Sequence, residues 1–135
     1  MGEYAVLTSS LAALISSLSI VGHSIQIPLT TAAAQTLAAS TARSHGVAGP
    51  AAKAAYASAP FKKPALRYLY SVGWVGAASN VPSCKAALVF GADPKAAAAQ
   101  ALQQSPALLA RLRSARITQA QASAAVGRGF QDGCH

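Results

Sequence analysis

Few side chains in this sequence are able to do chemistry: two cysteines, Cys84 and Cys134, three histidines, His23, His45 and His135, and three acids, Glu3, Asp93 and Asp132. A metal centre needs such groups at helical or turn spacing, and His23, His45 and His135 with Cys134 do not have it. General acid–base work or a triad needs a carboxylate beside a base or a nucleophile. Asp93, directly before Pro94, reads instead as a helix cap, and Glu3 falls in the first turn of an apolar helix. There is no P-loop, no GxGxxG and no aromatic-basic pattern of the RNA-reading kind. The expectation is a non-enzyme with no cofactor and no metal. His23, at the end of that apolar helix, fits an interfacial or terminus-capping place. The cysteines stand fifty residues apart. Two readings are open for them: one disulfide tying the C-terminus back to the turn at Pro82, as an oxidising space allows, or two free thiols.

The elements that must position these groups are helical. Residues 4–42 hold no Asp, Glu, Lys or Arg, and 4–25 is long enough to cross a bilayer as a helix. Leu7, Leu11, Leu14, Leu18, Val21 and Ile25 follow at steps of four and three, a heptad seam on one face. Ser9, Ala13 and Ser17 form a small-residue row that lets helices approach closely in lipid. Serine tolerates lipid by hydrogen-bonding back to the preceding turn, so a membrane-spanning helix over 4–25 is the leading expectation. The same spacing also describes an amphipathic helix packed on a protein core. Ala32 and Ala34 give an A-x-A pattern, but the stretch before the apolar run has Glu3 and no basic residue, against a cleaved signal.

Downstream, proline and glycine punctuate short helices. Residues 29–44 read as an alanine and threonine helix, 50–59 as a second, and 60–64 as a rigid basic linker. The patch 66–92 carries Tyr68, Tyr70 and Trp74, which suit either an interfacial aromatic belt or an aromatic core. A turn at 80–83 and Lys85 argue against one straight span there. Asp93-Pro94 opens a helix over 95–104, and Ser105-Pro106 opens another over 107–126, stopped by Gly127 and Gly129. Gly73 and Gly76 are three apart and read as close packing beside Trp74. The chain therefore divides into an apolar helical segment 1–45, a Pro/Gly linker 46–64, the second apolar patch 65–92 and a basic helical tail 93–135. The fold class is all-α.

Eleven Lys and Arg against three acids give a net charge of +8, so an anionic partner is expected: lipid headgroups, nucleic acid or an acidic protein flank. Lys62, Lys63, Arg67, Arg111, Arg113 and Arg116 are the candidate contacts. Alanine supplies 34 of 135 residues, which favours helix but buries little area, so help from a membrane or from partner subunits is expected. In composition and layout the chain resembles the supernumerary subunits of respiratory complexes in the mitochondrial inner membrane. That likeness implies a non-catalytic accessory role in a membrane complex, with other subunits and anionic lipid as partners. The alternatives are a basic RNA- or ribosome-associated protein, and an envelope or secreted helical protein closed by Cys84 and Cys134.

Overall fold

The structure, a computed structural model, describes Leu11, Leu14 and residues 26–134. Among the described residues all regular structure is helical: α1 (Thr31–Ser44), α2 (Gly49–Ser58), α3 (Pro64–Ser79), α4 (Val81–Val89), α5 (Pro94–Gln103), α6 (Pro106–Ser114) and α7 (Gln119–Gly133). Pro50, Pro64, Pro82, Pro94 and Pro106 each occupy the first or second position of a helix. An unpaired N–H would otherwise lie there, so proline starts these helices at little cost. Thr30 and Asp93 cap α1 and α5 by accepting hydrogen bonds from the amides of Ala33 at 3.2 Å and Lys95 at 3.0 Å.

Helix α3 is the hub. Helix α7 packs along one side of it, with α5 against α7, while α1 and α2 cover its other side. Two buried clusters follow from that arrangement. The larger joins Leu66 and Leu69 of α3 to Leu102, Leu108, Leu112, Ile117, Val126 and Phe130. The smaller sets Tyr68, Val72 and Val75 of α3 against Tyr56 and the alanines 34, 38, 42 and 52. Ala34, Ala38 and Ala42 recur every fourth residue, so α1 presents a smooth stripe that only large partners can fill. Tyr56 and Tyr68, both fully buried, are those partners.

The α3–α7 contact is made backbone to backbone. A Cβ on Gly73 would collide with the Val126 carbonyl and stand 2.8 Å from the Phe130 nitrogen. One on Gly129 would collide with the Tyr70 carbonyl, and one on Gly133 would stand 2.7 Å from the Trp74 carbonyl. Gly127 and Gly129 therefore do not stop a helix, as their sequence context suggests. They lie inside α7, where the close approach outweighs glycine's poor helix propensity.

The helix expected over 107–126 is in fact two. Helix α6 ends at Ser114, Arg116 turns left-handed at φ 59°, and Ile117 N–H closes the end on the Leu112 carbonyl at 2.9 Å. Thr118 then restarts the chain with a capping box: its hydroxyl accepts from Gln121 N–H and its own N–H donates to the Gln121 side chain, both at 3.1 Å. The patch 66–92 is likewise broken, at Asn80 between α3 and α4. Within 93–135, α7 contributes Val126 and Phe130 to the larger cluster.

No helix among the described residues is long and apolar enough to cross a membrane. Of the expected span, Leu7, Leu18, Val21 and Ile25 lie outside the described residues, and Leu11 and Leu14 are helical and buried. They seat against α3 at Gly76, where a Cβ would stand 2.5 Å from Leu14 Cδ1 and 3.6 Å from Leu11 Cδ2. These two members of the seam thus face protein, which is the amphipathic reading of the same spacing.

Cys84, in α4, and Cys134, at the end of α7, form a disulfide with a Cα–Cα distance of 5.9 Å. Helix α4 buries only Cys84 and Ala87, so the bridge is its main attachment to the bundle. Closing a loop of this length stabilises the fold by about 4 kcal/mol through the unfolded chain's lost entropy.

If the glycine contact organises the bundle, Gly129→Ala lowers stability by about 3 kcal/mol or more, because backbone cannot yield as a side chain can. Gly46→Ala, at φ 75° with open space around it, costs only about 1 kcal/mol. Urea unfolding of the two variants separates the effects, and equal losses would remove the special role of the α3–α7 contact.

Candidate functional site: a basic corner

The linker is pinned by one aromatic. Phe61 packs on the larger cluster and lies 6.2 Å from the Tyr70 ring, which leaves Lys62 and Lys63 on the surface. Lys63, extended at the cap of α3, donates from Nζ to the carbonyl of Arg116 at 3.4 Å. Segments 53 residues apart thereby meet, Lys63 against the Arg116 backbone, with Lys62 beside it in sequence and all three residues exposed. Arg111 and Arg113 lie on the last turn of α6, shortly before Arg116. Part of their role is local, since cations at a helix C-terminus are favoured by its dipole.

Arg116 stands out among the helix ends. Gly46, Gly91 and Arg116 all close a helix in the left-handed region, at φ 75°, 78° and 59°. In each the next residue's N–H reaches back five residues: Val47 to Ala42, Ala92 to Ala87, Ile117 to Leu112. Glycine enters that region freely, whereas a side chain there costs about 1 to 2 kcal/mol. The chain keeps an arginine at the one such turn that meets Lys63.

The two described carboxylates are engaged elsewhere. Asp93 caps α5, and Asp132 accepts from Arg128 Nε at 3.1 Å and from the Tyr70 hydroxyl at 2.7 Å. Arg67 is turned inward: Nε donates to the Tyr56 carbonyl at 3.1 Å, Nη2 to Ala57 at 2.6 Å, and the guanidinium lies 4.9 Å over the Tyr56 ring. It straps α2 to α3.

Nor do the aromatics form an interfacial belt. Tyr68 and Tyr70 are buried on α3 and Trp74 is half-buried, because the two faces of α3 are covered by α1 and α7. The Tyr68 hydroxyl pairs with Thr41 Oγ1 at 3.3 Å. Burial pushes both phenols up to about 12, helped at Tyr70 by the hydrogen bond and charge of Asp132.

Among the described residues, no three of His, Cys, Asp and Glu stand close enough to hold a metal, and His23 and His135 lie outside those residues. His45 closes α1, its Nδ1 donating to the Thr41 carbonyl at 2.9 Å. An open cleft of about 560 Å³ between α5 and α7 is lined by Lys95, Gln103, Gln119 and Ser123. The buried Ser123 hydroxyl has no hydrogen-bond partner among the described residues.

The corner was partly legible: Lys62, Lys63 and Arg116 stand out by charge. What the residue pattern did not give is their meeting, which depends on the break after α6. Its signal is the T-x-x-Q of Thr118 to Gln121, a capping box inside what otherwise reads as continuous helix. No protein-family model, curated protein or solved structure matches this chain.

Two measurements check this description. Arg116→Gly relieves the left-handed backbone and raises stability by about 1 kcal/mol in urea unfolding, while removing a charge from the corner. The second is alkaline titration. A phenol whose pKa is raised in the folded state stabilises it fully below the unfolded value of 10, and that contribution is lost as pH rises through about 12. Stability therefore falls between pH 10 and 12, and Tyr70→Phe, followed by tyrosinate absorbance at 295 nm, flattens that fall.

Proposed function

We propose that this chain is a non-catalytic accessory protein that joins a larger assembly by docking its basic corner on an acidic surface. The observation that carries the reading is the convergence of Lys62, Lys63 and Arg116, with the arginine held in a backbone region it enters only at a cost. The engagement of Asp93 and Asp132 elsewhere supports it further, since neither neutralises the corner. Long-range attraction from a net charge of +8 would speed encounter with such a partner.

The accessory role keeps the coarser part of the expectation drawn from composition. Its finer part, a single span in the mitochondrial inner membrane, gives way in this reading to a protein whose Leu11 and Leu14 pack on its own bundle, which their burial supports. The Cys84–Cys134 bridge supports an oxidising compartment, such as an envelope or extracellular space, over the cytosolic setting of a ribosome-associated protein.

Heparin, as a generic polyanion, tests the corner. The triple variant Lys62→Gln, Lys63→Gln, Arg116→Gly should bind far more weakly, and its plot of log affinity against log salt should flatten by about 2 to 3. A control that removes the same charge elsewhere, Arg43→Gln, Lys53→Gln, Arg128→Gln, should keep most of the wild-type affinity. Equal losses in both variants would mean that net charge alone binds and that the corner is no site.

A further inference from the structure

Among the described residues, two of the three exposed large apolar side chains are adjacent in sequence. Val89 is 81% exposed and Phe90 is 73% exposed, at the end of α4, with Leu29 the third. Water is a poor solvent for such a pair: burying a side chain of this size is worth about 1.5 to 3 kcal/mol. The turn that follows holds the pair at a tip. Phe90 ends α4, Gly91 reverses the chain at φ 78° with nothing within 4 Å of its Cα substituent position, and Ala92 N–H closes on the Ala87 carbonyl at 2.8 Å.

The charge around the tip is mixed but cationic on balance. Lys85 lies one turn back on the face of Val89, and Lys95 follows in the first turn of α5, both exposed. Asp93 stands between them and is the one acid there among the described residues, its oxygen Oδ1 held by the Lys95 amide. Such a tip matches the boundary of an acidic bilayer, where apolar side chains enter the acyl region and lysines stay at the headgroups. A protein partner of this tip would have to offer both an apolar pocket and acids on either side of it, whereas an acidic bilayer presents the two everywhere.

We infer that Val89 and Phe90 form a membrane-entering tip, flanked by Lys85 and Lys95, which seats this protein on an acidic phospholipid surface. Helix α4 carries the tip, and the Cys84–Cys134 bridge fixes that otherwise lightly buried helix to the bundle. The tip shares no residue with the basic corner, so the two surfaces fail or succeed separately.

Co-sedimentation with vesicles of phosphatidylcholine containing phosphatidylglycerol tests the inference on the full chain. The wild type should bind them and bind pure phosphatidylcholine much more weakly. Val89→Ser with Phe90→Ser should lower the partition coefficient by roughly tenfold or more, and Lys85→Gln with Lys95→Gln by roughly tenfold or more at low salt. Circular dichroism checks that the variants stay helical, as substitutions at exposed positions should. The corner variant Lys62→Gln, Lys63→Gln, Arg116→Gly should lose less than the tip variants. Absence of vesicle binding by the wild type would overturn the inference. So would unchanged binding by the serine variant, and if that variant also lost a dimer seen by light scattering, the tip would belong to a second copy of the chain.

Discussion

The fold depends on letting two helix backbones touch. Helices α3 and α7 meet through Gly73, Gly129 and Gly133, where a methyl group would strike a carbonyl or amide of the facing helix. An alanine-rich chain has little large apolar surface to bury, so it gains packing by shortening the distance between helices. Once α7 lies that close, Phe130 and Val126 reach the larger cluster and Gly127 brings the start of α5 alongside, where a Cβ would stand 2.7 Å from Lys95 Cα. The opposite face of α3 solves the same shortage differently, with two tyrosines set against alanine stripes.

The surface follows from the core. Because α7 must restart after α6 to reach α3, the chain turns at Arg116, and that turn delivers an arginine to the lysines of the linker. Because α4 buries so little, a covalent bridge holds it, and its end carries an apolar pair that no core covers. The basic corner and the apolar tip thus lie at two separate places with separate structural causes.

Helix was readable across residues 26–134, since proline starts and the cap at Asp93 act locally and need no tertiary knowledge. The boundaries of α1, α2 and α5 fall within two residues of those read from the pattern, whereas the turn read at 80–83 is mostly the start of α4. Contacts between distant segments were not readable in the same way. Gly127 and Gly129 resemble a helix stop until the partner backbone that requires them is known. Tyr68 and Tyr70 resemble an interfacial belt until α1 and α7 cover them. The leucine seam fits lipid and protein equally, and only the seating of Leu11 and Leu14 at Gly76 distinguishes the two for those residues. In each case the residue types were right and the missing information was which surface lay opposite.

Native-state hydrogen exchange tests the central claim most directly, because it ranks helices by the free energy needed to open them. If the α3–α7 contact organises the molecule, the slowest amides lie in the middle of both helices, around Val72 and Val126, and exchange only by global unfolding. Helices α1 and α2 then open at lower free energy. Slowest exchange in α1 or α2, with α7 opening independently of α3, would contradict the account.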